Sequence, residues 1–208
     1  REKPRATSDY ATLEVDTSIR LDSPLFQAMS PALQDQVVVH NHLWLYLNRP
    51  EVQSIGIPEF LPRIGKAQKN LRQPNLIYPT GGKVFVHLYQ TEDDSRNSYV
   101  PIEPGGALTK SNLIEEIDRK LIDHVGELQK AATLEDPDER IEILLDVLGK
   151  VCQTDGKNRR DTIQVSKSEF EQIEYLVVRD KEGLGVIQPL ISDPYLEDVS
   201  CSGVGPIF

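Results

Sequence analysis

The pattern of apolar and polar residues divides the chain into helical stretches and one strand-rich region. Ser30 followed by Pro31 is typical of a helix N-cap and a first helical residue. The apolar positions that follow share one helical face and predict a helix that runs to about Asn48. Prolines then favour shorter helical pieces. We therefore predict a helical subdomain over residues 30–73, preceded by a polar, flexible N-terminal arm over residues 1–29.

A strand-rich region follows the helical subdomain. Residues 84–89 read Val-Phe-Val-His-Leu-Tyr, and the chain returns after a polar turn in a second apolar segment at residues 98–102. The two segments predict a hairpin. Pro101 places the second strand at an edge, because proline cannot donate a hydrogen bond to a neighbouring strand. We expect a further strand near residues 195–201 to join this sheet.

Three stretches between residues 111 and 179 have apolar residues at helical spacing. Asp136 is the predicted N-cap of the second, and Ser166 or Ser168 is that of the third. The chain is therefore predicted to be an α+β protein, with an N-terminal helical subdomain followed by a small, mainly antiparallel sheet packed by three helices. Residues 74–208 form the predicted α+β domain.

Charge and cysteine usage narrow the function classes. The net charge of −10 argues against a nucleic-acid partner, because phosphate binding needs a positive field. The dense basic cluster at residues 157–160 is most simply a solvated loop. Cys152 and Cys201 lie in no CxxC pattern, which favours reduced thiols and a cytosolic compartment. No apolar run approaches the roughly 18 residues of a membrane span.

The sequence contains no complete catalytic pattern. Residues 105–111 come nearest to a phosphate-binding loop, but Thr109 stands where the glycine before the lysine is required. His40 and His42 are two residues apart on a predicted helix and would point to different faces, so they do not form a chelating pair. We assign no catalytic and no metal-binding residue in this chain.

The segment from Tyr175 to Gly203 carries several spaced motif elements. They are Arg179-Asp180, Gly183-x-Gly185, Ile187-x-Pro189-Leu190, Asp193-Pro194-x-x-Glu197-Asp198-Val199 and Gly203. In these elements the chain resembles the N-terminal domain of archaeal type II/IV secretion ATPases. That family includes GspE-like secretion and pilus-assembly motors and the archaellum motor ATPase. The chain departs from the family at Lys181-Glu182 and at Leu184, where large apolar or aromatic residues are common.

The resemblance implies a cytoplasmic, peripherally membrane-associated hexameric ATPase that drives filament assembly or secretion. It implies that ATP and Mg²⁺ bind the full-length protein, that the catalytic machinery lies C-terminal to residue 208, and that this chain hydrolyses no ATP and binds no cofactor by itself. The implied partners are its own C-terminal motor domain, the other subunits of a homo-hexamer and an integral membrane platform protein.

Three arginines are candidate nucleotide contacts in such a motor. An inserted arginine stabilises the charge that develops on a transferred phosphoryl group, and Arg179 lies at a predicted helix end beside a glycine turn. Its alternative role is a helix-terminal arginine paired with Asp180 or Glu182. Arg159 and Arg160 are basic and could contact nucleotide, whereas a solvated loop is their alternative role.

Two other function classes stay open at this point. A free-standing protein-interaction adaptor predicts a natural stop near residue 208, and an enzyme of another type predicts turnover by the isolated chain. The sequence ends in apolar residues that are typical of a beginning strand. We therefore expect a fragment that continues into a further domain, which favours the motor-associated reading.

Overall fold

A computed structural model describes residues 21–65, 73–91, 96–106, 112–154, 156 and 161–200. The chain divides into two compact units. Unit 1 comprises residues 1–103 and 189–208, and unit 2 comprises residues 104–188. Unit 2 is therefore an insertion in the sequence of unit 1.

Four short helices open unit 1: α1 (Pro24–Ala28), α2 (Pro31–Val39), α3 (Asn41–Leu47) and α4 (Pro50–Ile55). The hydroxyl of Ser30 accepts a hydrogen bond from the backbone N–H of Leu33 at 3.3 Å, which confirms the predicted cap. Ser23 caps α1 in the same way. Helix α1 lies within the predicted N-terminal arm, whose residues 1–20 are outside the described residues.

The single helix predicted from Ser30 to Asn48 is wrong, because the chain breaks at His40. This residue has φ −120° and ψ 87°, which no helix accommodates. The break brings the rings of His40 and His42 to 5.6 Å from each other, and both lie against Phe85. The prediction of two different helix faces is therefore also wrong. Within the described residues, no three His, Cys, Asp or Glu side chains are placed to hold a metal ion.

Unit 1 contains a four-stranded sheet in the order β1 (Glu59–Phe60), β2 (Asn75–Gly81), β3 (Val84–Tyr89) and β4 (Ser98–Ile102). Strand β1 is parallel to β2, and the other pairs are antiparallel. The predicted β3–β4 hairpin and the α+β fold class are confirmed. Strand β2 was not predicted, since Pro79 and Gly81 weaken its strand pattern.

Residues 195–200 form no strand, so the strand predicted near residues 195–201 is wrong for the part of it that the structure describes. The apolar alternation in this segment is short. The turn at Asp193 and Pro194 and a set of side-chain hydrogen bonds fix the segment instead.

The two faces of the sheet carry different side chains. Ile77 and Phe85 pack against α1–α4 in one core, together with Phe26, Leu33, Val37, Leu43, Trp44, Leu47 and Ile102. The opposite face carries Tyr78 and Val86. Because the helices of residues 30–55 share their core with the sheet, the predicted boundary at residue 73 does not coincide with a boundary between compact units.

Unit 2 is mainly helical. It contains α5 (Asn112–Leu121), α6 (Val125–Ala131), α7 (Pro137–Val151) and α8 (Lys167–Lys181), with 3-10 turns at Ile122–His124 and Gly185–Ile187, and two parallel strands, β5 (Cys152–Gln153) and β6 (Ile163–Gln164). Asp136 and Ser166 cap α7 and α8 as predicted. Ile117, Leu148 and Ile173 are fully buried in its core. Helix α9 (Gln188–Ile191) follows in the chain.

Burial raises the pKa of the Cys152 thiol to about 11, so this thiol is protonated and unreactive at neutral pH. Cys201 lies outside the described residues. None of the helices found in the described ranges is long and apolar enough to cross a membrane.

A chain of hydrogen bonds passes through the buried ring of His87. The hydroxyl of Tyr46 donates to Nδ1 of His87 at 2.8 Å, and Nε2 of His87 donates to Oδ1 of Asn75 at 2.8 Å. The Asn75 amide donates in turn to the carbonyls of Ile55 and Gly56, which fixes its Oδ1 towards the imidazole. This chain requires a neutral ring, and burial lowers the pKa of His87 to about 4.

We expect the free energy of unfolding of unit 1 to fall as the pH is lowered from about 7 to about 5. The folded pKa of His87 is about 4, below the roughly 6.5 of an unfolded histidine, so the unfolded chain binds a proton that the folded chain does not. The part lost by pH 5 corresponds to the roughly 1.5 units between the unfolded pKa and that pH, which is about 2 kcal/mol at 1.36 kcal/mol per unit. Urea unfolding followed by the fluorescence of Trp44, the single tryptophan, measures it.

A variant of a second buried histidine tests whether histidines, and not other titrating groups, cause this pH dependence of stability. Burial also lowers the pKa of His42 to about 4, and its Nε2 lies 2.7 Å from the Lys83 carbonyl oxygen. Glutamine can keep that hydrogen bond without titrating. The variant His42→Gln should therefore lose part of the pH dependence. Identical unfolding midpoints at both pH values in the unmodified chain would contradict the assignment.

Candidate functional site

A buried carboxylate lies in unit 1 just after α9. The side chain of Asp193 is 3% exposed, and among residues 190–200 it is the one that is buried. A carboxylate out of water costs free energy unless hydrogen bonds replace its hydration. Asp193 must therefore have strong partners in the sheet.

Two tyrosine hydroxyls and one backbone amide hold this carboxylate. The hydroxyls of Tyr78 on β2 and Tyr99 on β4 both donate to Oδ2 of Asp193 at 2.8 Å. Oδ1 accepts from the N–H of Tyr195 at 2.8 Å. Hydrogen bonds to a charged group contribute about 1.5–3 kcal/mol each. We name Asp193 and these three tyrosines the Asp193 cluster.

The strand register explains why two distant tyrosines meet at one oxygen. Tyr78 is paired with Val86, and Tyr99 is paired with Leu88, two positions further along β3. Positions two apart lie on the same face of a sheet. Both tyrosines therefore project from the face opposite the α1–α4 core, on either side of β3.

Tyr195 adds a third attachment to the sheet. Its ring meets that of Tyr78 edge to face, with centroids 5.4 Å apart, and its hydroxyl accepts from the N–H of Ile64 at 3.1 Å. The cluster thus joins β2, β4 and the segment after β1. Asp193 and Pro194 form a turn, since a side-chain oxygen that accepts from the N–H two residues on is an Asx turn.

The environment of the cluster opposes ionisation of its two tyrosine donors. Burial, together with the hydrogen bond to Asp193, raises the pKa of Tyr78 and of Tyr99 far above the usual tyrosine range. Both hydroxyls therefore keep their protons at neutral pH. Within the described residues no Lys, Arg or His forms an ion pair with Asp193. Both oxygens of this buried carboxylate accept hydrogen bonds, which suits an anchor for a chain segment.

The candidate arginine Arg179 lies in the last turn of α8, in unit 2. Its side chain is 8% exposed, and Nε donates to Oδ1 of Asp180 at 2.8 Å. Glu182, the other predicted partner, binds Arg140 at 2.8 Å. A contact between Arg179 and nucleotide stays a prediction. Arg159 and Arg160 lie outside the described residues.

The Gly-x-Gly element shapes the chain after α8. A Cβ atom on Gly183 would lie 2.7 Å from the carbonyl oxygen of Arg179, and Gly185 has φ +60°, so both positions need glycine. Leu184, between them, is 55% exposed. The two glycines therefore have a structural reason that is independent of any ligand.

Sequence reasoning placed Asp193 in the motif of the resemblance and missed its partners. The signal that could have found them is the pair Tyr78 and Tyr99, which occupy positions on the same face of the sheet. The other carboxylates of the same motif, Glu197 and Asp198, are exposed.

Comparisons with known proteins give one distant relative and no family. No family model matches the chain. The chain is 27% identical over 186 residues to the Methanocaldococcus jannaschii protein named "Uncharacterized protein MJ0900". The match covers 84% of this chain and 34% of that protein, so the chain spans about a third of the length of this relative.

We expect Tyr78→Phe and Tyr99→Phe each to lower the free energy of unfolding by about 1–3 kcal/mol, because each removes one donor to the buried carboxylate and little volume. The double variant should differ from the sum of the two, since both hydroxyls bind one oxygen. Urea unfolding followed by Trp44 fluorescence gives the values.

The matched control for these variants is Tyr89→Phe. Tyr89 lies on β3 of the same sheet, and its hydroxyl is not a partner of Asp193. This variant should stay within about 0.5 kcal/mol of the unmodified chain. If Tyr78→Phe and Tyr99→Phe are as stable as this control, the carboxylate does not depend on the two hydroxyls.

Proposed function

We propose that the chain is the N-terminal regulatory and docking region of a hexameric secretion, pilus-assembly or archaellum-assembly ATPase. The observation that carries the proposal is the role of Asp193. It is the aspartate of the Asp-Pro-x-x-Glu-Asp-Val motif, and its carboxylate is bound to the sheet of unit 1. The motif that marks the junction in the resemblance is thus an anchored segment in this chain.

An anchored junction suits a domain that works against a motor. A segment that is attached to the sheet at one buried point has a fixed position there. Force applied beyond residue 200 is therefore transmitted to unit 1. The greater length of the Methanocaldococcus jannaschii relative agrees with a longer polypeptide of this kind. A longer polypeptide leaves room for the motor domain that the proposal requires.

In this proposal the nucleotide chemistry belongs to the motor domain. ATP and Mg²⁺ bind there, and this region contacts the cleft, the neighbouring subunits and a membrane platform protein. Arg179, Arg159 and Arg160 are its candidate nucleotide contacts. For Arg179 to reach a phosphate, its guanidinium would exchange the Asp180 carboxylate for the phosphate oxygens.

A protein-interaction adaptor is the second candidate function. Unit 2 has an open apolar cavity of about 280 Å³ between α5, α6, α7 and the end of α8. Ile122 and Val125 line this cavity and are 66% and 49% exposed. Exposed apolar side chains beside a cavity are typical of a surface that binds another protein.

The first test compares the full-length protein with the isolated chain. We expect the product of the parent reading frame to hydrolyse ATP in the presence of Mg²⁺, and residues 1–208 alone to produce no phosphate above background. Absence of ATP hydrolysis by the folded full-length protein would reject the motor proposal. Sustained turnover by the isolated chain would reject it in favour of an enzyme.

A second prediction concerns Arg179 in the full-length protein. Lysine keeps the charge but loses the planar, two-pronged geometry that binds phosphate. We expect Arg179→Lys to lower kcat at least tenfold, since arginines that stabilise phosphoryl transfer contribute about a thousandfold or more. The exposed Arg119 on α5 supplies the control, and Arg119→Lys should leave kcat unchanged. An unchanged kcat for folded Arg179→Lys removes Arg179 from the nucleotide contacts.

A further inference from the structure

The segment of residues 190–200 contributes few buried side chains to unit 1. Asp193 is its one buried side chain, Tyr195 is half-buried, and residues 197–200 are exposed. Its backbone bonds from Asp193 to Leu190 and from Leu196 to Asp193 close within the segment, and it adds no strand to the sheet among the described residues. The buried attachment of this segment is therefore the Asp193 cluster.

The chemistry of this attachment makes it reversible. The contact consists of a carboxylate, two phenol hydroxyls and one backbone amide, and water solvates all four well when they separate. The segment's apolar contribution to this face of the sheet is the single ring of Tyr195. The release of an anchor built of several buried apolar side chains would cost far more free energy.

The sheet does not depend on the segment for its own integrity. Strands β2, β3 and β4 are paired along their length, and Ile77 and Phe85 pack into the helical core on the opposite face. Proteins open locally where few buried contacts hold a segment, and the remaining structure stays folded. These are the conditions for a local opening.

We propose that the Asp193 cluster is a latch, and that residues 190–200 detach from the sheet together while β2–β4 stay folded. Opening breaks the two tyrosine bonds to Oδ2 and the Tyr195 contacts, and closing restores them. In the full-length protein the latch would switch the junction between a fixed and a released state. This last step rests on the proposed function, whereas the opening itself does not.

Native-state hydrogen exchange of the 208-residue chain, read by NMR, tests the opening. The reporters are the amides of Tyr195 and Leu196, whose acceptors lie in the Asp193 turn, and the amides of β3. In the unmodified chain, Tyr195 and Leu196 should exchange at least tenfold faster than the paired amides of β3. Asp193→Asn should accelerate them at least tenfold again, and they should still exchange at least tenfold faster than β3, because local opening and global unfolding both start from the closed state that the variant destabilises.

Two variants complete the design. Tyr78→Phe combined with Tyr99→Phe should reproduce the effect of Asp193→Asn from the sheet side. Asp198→Asn alters an exposed carboxylate of the same segment and should change no reporter. The latch is overturned if Tyr195 and Leu196 exchange at the rate of β3 in either chain, or if Asp193→Asn does not accelerate their exchange.

Exchange in the full-length protein, with and without ATP and Mg²⁺, tests the junction. We expect at least a tenfold difference at Tyr195 and Leu196 between the two conditions. Local opening in a full-length protein that hydrolyses no ATP would support the latch proposal and reject the motor proposal. ATP hydrolysis in a protein whose residues Tyr195 and Leu196 exchange hydrogen at the same rate as β3 would support the motor proposal and reject the latch proposal.

Discussion

The pair of hydrogen bonds from Tyr78 and Tyr99 to one oxygen of Asp193 is the constraint on which the C-terminal part of unit 1 depends. Without these bonds a buried carboxylate would lose its hydration with no replacement. With them, the chain that returns after unit 2 is fixed to the face of the sheet opposite the α1–α4 core. The strand register makes this possible, because it places both tyrosines on one face beside β3.

The predictable part of this structure is local in sequence. Ser30, Asp136 and Ser166 begin helices because a capping side chain needs only the next few backbone amides. The β3–β4 hairpin follows from two apolar segments and a polar turn. The break at His40 was not visible, because the apolar pattern continues through it, and tertiary packing against Phe85 decided the outcome.

The Asp193 cluster could not be predicted from the sequence, because its residues are far apart along the chain. Asp193 lies 115 residues from Tyr78 and 94 from Tyr99 in the sequence, and no local pattern connects them. The motif of the resemblance contains Asp193 and Tyr195, whereas the tyrosine donors Tyr78 and Tyr99 lie outside the segment from Tyr175 to Gly203. Arg179 was predicted to contact nucleotide because it lies at a helix end beside a glycine turn. The structure places its guanidinium against Asp180 and nearly buries it.

The central claim, that the carboxylate of Asp193 is held by two protonated tyrosine hydroxyls, can be measured directly. Hydroxyl protons in short, buried bonds to a carboxylate exchange slowly enough to give separate downfield NMR signals. The account predicts two such signals, each with an NOE to the ring of Tyr78 or Tyr99, and the loss of both in Asp193→Ala. Absence of both signals from the folded chain, or their persistence in Asp193→Ala, would contradict it.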